Sequence, residues 1–338
     1  MITVDKVIEI FCIADDFCRE YSSEVQKHQL NDKDGKKHRN RPCQLSDGEI
    51  IAILVCFHFG TFHNFKHYYL FFIKEHLHSF FPTAVSYNRF VELESRVAIP
   101  MILMLKLLCF GECTGITYVD STCIPVCHNK RIKRNKVFKD YAQVGKSTMG
   151  WFYGFKLHLV CNDKGELLNF CLTKANVDDR NPEVFNVLSK DLFGKLYADK
   201  GYISKTLFET LFNDGIHLVT GLKSNMKNKL MPLRDKILLR KRSVIETIND
   251  ELKNIAHAVH SRHRGLANFL MNMISALMAY SFFPKKPAIK WEIEKQNQLE
   301  LFFWFFFKFG GISAIVNIEF WLLAVLFRLY CTSVFSRL

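Results

Sequence analysis

Up to about residue 108, apolar positions recur three and four residues apart, the spacing of one face of an α-helix. Val7, Ile8, Ile10, Phe11 and Ile13 give residues 4–21 such a face, and the polar run 26–41 predicts an exposed basic loop. Leu45-Ser46-Asp47-Gly48-Glu49 carries the Ser-x-x-Glu pattern of a capping box, so a second helix is expected to open there and to end at Gly60. Further helices are expected over 64–80, closed by Phe81-Pro82, from Ser86 onward, and after Pro100 through Leu108. Short helices joined by tight turns suit a DNA-reading module, and equally a scaffold that packs on the next domain.

From Gly115 the period shortens. The stretch GITYVDSTCIPV has β-branched and aromatic residues on both faces, which predicts a buried strand ending at Asp120-Ser121-Thr122. A basic insertion, 127–149, precedes a strand over 152–160, and the turn Asn162-Asp163-Lys164-Gly165 leads into another over 167–173. A helix over 181–192, a short strand 195–198 ending in Asp199, a helix capped by Ser204 and a fifth strand over 216–220 follow. The series predicts a mixed sheet flanked by helices. Residues 223–241 read as a basic loop. Ile245, Ile248, Leu252, Ile255 and Val259 then form a helical stripe, with Arg242, Glu246 and Lys253 on a neighbouring face. An apolar helix over 268–283 stops at Pro284-Lys285-Lys286-Pro287.

Charge narrows the function classes. The 338 residues carry a formal charge of +13, from 46 Lys and Arg against 33 Asp and Glu, and the excess is clustered. Residues 33–41 hold five basic side chains and one acid, 130–146 seven and one, and 223–242 eight and one, so the rest of the chain is slightly acidic. Such clusters neutralise a phosphate backbone. Eleven cysteines without an even framework, and no apolar leader, predict a reduced cytoplasmic protein. Cys109, Cys113, Cys123, Cys127 and His128 lack the paired spacing of a zinc knuckle. The apolar tail is interrupted by Asn317, Glu319 and Arg328, which argues against a membrane span.

Three carboxylates stand out. Asp120 and Asp199 are expected to close strands and Glu246 to lie on a helix after the sheet, separated by 79 and 47 residues. Each has a simpler reading. A strand-ending aspartate commonly caps a turn, and Glu246 stands three residues after Ser243, where it could close a capping box. Asp178 and Asp179 are read as loop residues that cap the helix at Asn181. If the three converge, their hard oxygen ligands select Mg²⁺ or Mn²⁺, and two such ions about 4 Å apart serve phosphoryl transfer.

TYVDST, YADKGY and RSVIETINDELK resemble the three catalytic blocks of the DDE transposases of bacterial insertion sequences, in the branch marked by Arg-x3-Glu-x6-Lys, here Arg242, Glu246 and Lys253. The resemblance covers roughly residues 45–285. It implies an α/β fold: a ribonuclease-H-like mixed sheet flanked by helices, preceded by an all-helical N-terminal domain. The divisions expected are 1–110, helical and DNA-binding; 111–285, catalytic; and 286–338, an apolar tail outside the resemblance. Asp120, Asp199 and Glu246 would hold two divalent ions, Mg²⁺ or Mn²⁺, and Arg242 and Lys253 would contact DNA phosphate, joined by Lys130, Arg131, Lys133 and Arg134 of the basic insertion. The implied partners are DNA, as terminal inverted repeats and as target, and a second copy of the chain in the active complex; no small-molecule substrate is implied. In much of that branch a tyrosine stands three residues before the arginine, where this chain has Leu239. A metal-dependent nuclease without strand transfer would carry the same triad.

Overall fold

The structure is a computed structural model that describes residues 2–28, 43–60, 62–148, 150–224, 226–227, 230–259 and 263–289. The basic run 33–41 and the tail from residue 290 lie outside the described residues. Every described element before Ile116 is helical. α1 (Val4–His28) runs a turn and more beyond its expected end. α2 (Asp47–Cys56) begins at the capping box: Ser46 Oγ accepts from Glu49 N, and Glu49 Oε2 accepts from Ser46 N at 2.7 Å. α2 is buried from Ile50 to Cys56. α3 (Phe65–His67), capped by Asn64, continues as a π-helix over Tyr68–His76, and α4 (Tyr87–Leu93) starts at the Ser86 cap. α5 (Ala98–Met104) takes Pro100 into its first turn, where no backbone donor is needed, and continues as a π-helix over Leu105–Cys109.

The sheet follows. β1 (Ile116–Cys127), β2 (Gln143–Ser147), β3 (Gly150–Asn162), β4 (Leu167–Lys174), β5 (Gly194–Ala198) and β6 (Ile216–Thr220) lie in the order β2-β3-β1-β5-β6, with β4 also paired to β3. β3 is antiparallel to β1, β2 and β4, whereas β5 is parallel to β1 and β6. β2, inside the expected basic insertion, has no alternating pattern of its own. It exists because the β3 edge beyond β4 offers it a partner. β1 does not end at Asp120. It runs on to Cys127 because β3 pairs with it along nearly its whole length, while β5 pairs only with Ile116 to Tyr118.

Both faces of the sheet are covered. Val119, Val160, Leu196 and Leu218 pack against Val184, Phe185 and Leu188 of α6 (Pro182–Leu188) and Leu207 and Leu211 of α7 (Lys205–Asn213). α8 (Leu233–Arg240), α9 (Ser243–Asn254) and α10 (Leu266–Ser281) follow β6. Phe269 of α10 stacks on Phe155 at 5.0 Å between centroids, and α10 also packs on α2, so the same helix touches the sheet and the N-terminal helices. α8 occupies what reads in sequence as a loop. Its buried Asp235, paired with Lys195 and Tyr197 of β5, supplies the tertiary anchor that a basic octet lacks by itself. α9 stops at Asn254, so Ile255 is exposed rather than part of the buried stripe. Among the described residues no helix is long and apolar enough to cross a membrane.

One glycine fixes the alignment of β5 on β1. Gly194 has φ +82°, and a Cβ there would lie 2.6 Å from Gly115 O, the acceptor of Lys195 N. Gly194→Ala is therefore strained by conformation and by contact, and should cost ~2 kcal/mol or more in urea denaturation.

Candidate active site

The last parallel pair, Tyr118 with Tyr197, stands two residues short of Asp120 and Asp199. The two aspartates thus leave the paired region side by side, where β1 and β5 part. Crevices at the carboxyl ends of parallel strands are where α/β sheets bind ligands, since side chains there are no longer consumed by the ladder. α9 fills the gap. Asn249, 6% exposed, donates from Nδ2 to Asp120 Oδ2 at 3.1 Å, and the same helix carries Glu246 one turn earlier and Lys253 one turn later.

The simpler readings of these carboxylates fail on local geometry. Asp120 lies in mid-strand and caps nothing. Asp199 precedes a 3₁₀ turn, Lys200–Tyr202, yet its side chain makes no capping bond. Arg242 is the N-cap of α9, so Ser243 is already helical and the capping box with Glu246 does not form. The Glu246 carboxylate turns back instead to the Arg242 guanidinium.

Electrostatics ties the group together. Burial pushes the Asp120 carboxyl up to about 6; Arg242 and the Ser121 backbone N–H oppose that shift, and the charges of Glu246 and Asp199 reinforce it. Asp120 therefore lies within electrostatic reach of both other carboxylates, with Arg242 as the counter-charge it shares with Glu246. Burial is the main cause of that shift, and the two neighbouring carboxylates, set against one guanidinium, add to it. Hard oxygen donors, excess negative charge and a cation already standing among them fit a divalent metal ion. The side chains are not gathered into a finished cage: among the described residues no three His, Cys, Asp or Glu groups stand in position to hold a metal. Glu246 would have to leave Arg242 to become a ligand.

The remaining sequence candidates sit on the approaches. Lys130, Arg131, Lys133 and Arg134 share the exposed 3₁₀ turn Asn129–Arg134 that follows β1, roughly 25 Å along the strand from Asp120. Arg242 stands within the carboxylate group, and Lys253 is half-buried on α9. Sequence reasoning passed over Tyr202 and Lys156. Tyr202 Oη is buried beside Ser121 and Asp120. Lys156 holds Asp179, which does not cap α6; that cap is Asn181, whose side chain accepts from Glu183 N. The Gly201-Tyr202 pair after Asp199 was the one local signal for Tyr202, and nothing local marks Lys156.

Carboxylates thus gather at the parting ends of two parallel strands, backed by a helix that carries an arginine and a lysine. Residues 110–266 match the family model described as a transposase DDE domain, and this match supports a transposase enzyme. Among solved structures the chain is similar to the piggyBac transposase synaptic complex with hairpin DNA, seen by cryo-electron microscopy, at 10% identity and a TM-score of 0.39, over 81% of this chain and 72% of that one. Curated protein sequences return no match.

Proposed function

We propose that the protein is an insertion-sequence transposase that binds the terminal inverted repeats of its element, cleaves DNA at the ends and joins the 3′-hydroxyls to target DNA. The observation that carries this reading is the place of Asp120 and Asp199 side by side where β1 and β5 part, with α9, which bears Glu246, held against Asp120 through Asn249. The strand order, with an antiparallel β4-β3-β1 half and a parallel β1-β5-β6 half, supports a ribonuclease-H-like catalytic domain behind helical N-terminal scaffolding. Asp120, Asp199 and Glu246 would hold Mg²⁺ or Mn²⁺, two ions in the full site. Such ions, when bound, would activate the attacking oxygen and stabilise the leaving one.

The protein's own groups do the rest. Asn249 donates to Asp120 Oδ2 and so orients the carboxylate. Arg242, released from Glu246, would face the scissile phosphate, and Lys253 a neighbouring one. The exposed basic turn at 130–134 suits the flanking duplex. A homodimer would serve to bring two element ends together.

The test is incubation with a labelled duplex carrying a candidate element end, with and without Mg²⁺ or Mn²⁺. Metal-dependent release of a 3′-hydroxyl and its joining to a second duplex is expected. Release without joining, from a gene not flanked by inverted repeats, would instead make the protein a metal-dependent nuclease. Lys253→Ala is expected to weaken binding to any duplex and to lower the slope of log K against log salt by about 0.9, as loss of one phosphate contact does.

A further inference from the structure

α10 packs on α2 and on the 3₁₀ turn Glu94–Val97 that follows α4, and these helices do not close completely on one another. They leave a cavity of about 410 Å³, within the roughly 300 to 1,000 Å³ of sites that take small organic ligands. Asp120, Asp199 and Glu246 do not line it.

The lining is sorted by chemistry. Glu94 is 6% exposed, and among the described residues neither a cation nor a hydrogen-bond donor meets its carboxylate. Burial pushes that carboxyl up to about 8. Asn272 of α10 stands in the same lining, and its Nδ2 is buried with no hydrogen-bond partner among the described residues. Phe57, Phe65 and Tyr87 supply aromatic rings: Phe57 meets Phe65 edge-on at 5.1 Å between centroids, and Phe65 meets Tyr87 at 6.4 Å. Lys66 and Arg264, both exposed, mark the opening, and Lys66 Nζ lies 5.8 Å from the centre of the Tyr87 ring. Tyr87 stands between acid and cation: burial pushes its phenol up, Glu94 adds to that shift and Arg264 opposes it.

An acid inside and two cations at the opening narrow the ligand. A bare amine would suit Glu94 but is repelled at the entrance, and a bare phosphate would suit the entrance but leave Glu94 and Asn272 unpaired. A ligand that satisfies both carries N–H donors and an acceptor on a flat ring at one end and an anion at the other. A nucleotide is built in that way. Among the common bases guanine offers two adjacent N–H donors, N1–H and the exocyclic amine, which one carboxylate accepts together, while its O6 accepts from an amide. Hydrogen bonds to the charged form restore the ionised carboxylate that burial disfavours.

We propose that this cavity binds a guanine nucleotide, the base turned in to Glu94 and Asn272 against the aromatic rings and the phosphate held at the opening by Lys66 and Arg264. A free nucleotide and a base turned out of a DNA strand present the same groups to it. Recognition is by hydrogen bonds, stacking and charge, with no covalent step.

The experiment titrates guanosine monophosphate into the full chain by calorimetry, with chelator present so that no divalent ion draws the phosphate to Asp120. Binding is expected, about tenfold weaker for inosine monophosphate, which lacks the exocyclic amine, and weaker still for adenosine monophosphate. Glu94→Gln should weaken the guanine nucleotide about tenfold and bring it level with the inosine one, while the melting temperature holds or rises because a buried, unpaired carboxyl is gone. Lys66→Ala should weaken guanosine monophosphate about threefold and leave guanosine unchanged. A short labelled thymine strand with one central guanine, compared with the all-thymine strand by fluorescence anisotropy, separates the two sources. A guanine preference that Glu94→Gln removes assigns the base to DNA, and nucleotide binding without that preference assigns it to a free nucleotide. A wild type that binds neither, or that holds guanosine and adenosine monophosphates equally, overturns the proposal, and both measurements stand even if Glu94→Gln does not fold. So does a folded Glu94→Gln that binds guanine as the wild type does. The strand-cleaving reading stands or falls at Asp120 and is untouched by any of these results.

Discussion

Asp120→Asn is expected to abolish metal-dependent strand cleavage while leaving duplex binding within about twofold of the wild type. The amide keeps the shape and can still meet Asn249, but it loses the charge that a divalent ion requires. A loss of three orders of magnitude or more is the scale for removing a group on which the chemistry depends. The same change should raise rather than lower the melting temperature of the metal-free protein. The carboxyl it replaces is pushed up to about 6 by burial and by the charges of Glu246 and Asp199, so its ionised form is a burden on the metal-free fold. Added Mg²⁺ or Mn²⁺ should stabilise the wild type and not the variant, because only an ion bound to the native state shifts the melting point. Gel-based nicking and differential scanning calorimetry measure the two halves. Residual metal-dependent nicking by Asp120→Asn would remove this residue from the chemistry.

Asp235→Ala is the second large effect, and it concerns the platform. Asp235 is 3% exposed, accepts from Lys195 Nζ at 2.7 and 2.8 Å and from Tyr197 Oη at 2.9 Å, and so fastens α8 to β5. Losing it leaves the buried Tyr197 phenol without its partner, at about 2 kcal/mol in chemical denaturation, and loosens the segment that leads into Arg242 and Glu246. Burial pushes the Asp235 carboxyl up, yet the bonds from Lys195 and Tyr197 outweigh that and hold it below its ordinary value. A depressed carboxylate stabilises the fold above the unfolded-state pKa and loses that contribution as pH falls through the folded one. The difference between wild type and Asp235→Ala should therefore be largest near neutrality and shrink in acid. A difference that is flat with pH would mean that Asp235 acts by packing alone.

The capping box at Ser46, the helix starts at Ser86 and Ser204, and the turn at Asn162 to Gly165 appear in the structure where the sequence puts them. Each is a bargain between residues at most four apart, so a local pattern suffices to write it. β2 and α8 were not legible. Neither has a strong period, and each forms because a distant partner, the β3 edge or the Lys195–Tyr197 pair, satisfies its polar groups. Asp179 was misread for the same reason. Its sequence neighbours suggest a cap, but its partner, Lys156, is 23 residues away.

By itself the sequence determined which residues could carry the chemistry: three carboxylates in order, an arginine and a lysine in phase with the third, and basic clusters fit for phosphate. Only the tertiary structure decided where Asp120 stands, in the middle of a strand rather than at its tip, and that the opening beside it comes from β5 ending early. It also decided that Arg242 lies among the carboxylates and that Glu246 is turned toward it. Strand pairing and helix packing join residues dozens of positions apart, and charges interact through the distance they create, a quantity that no local pattern encodes.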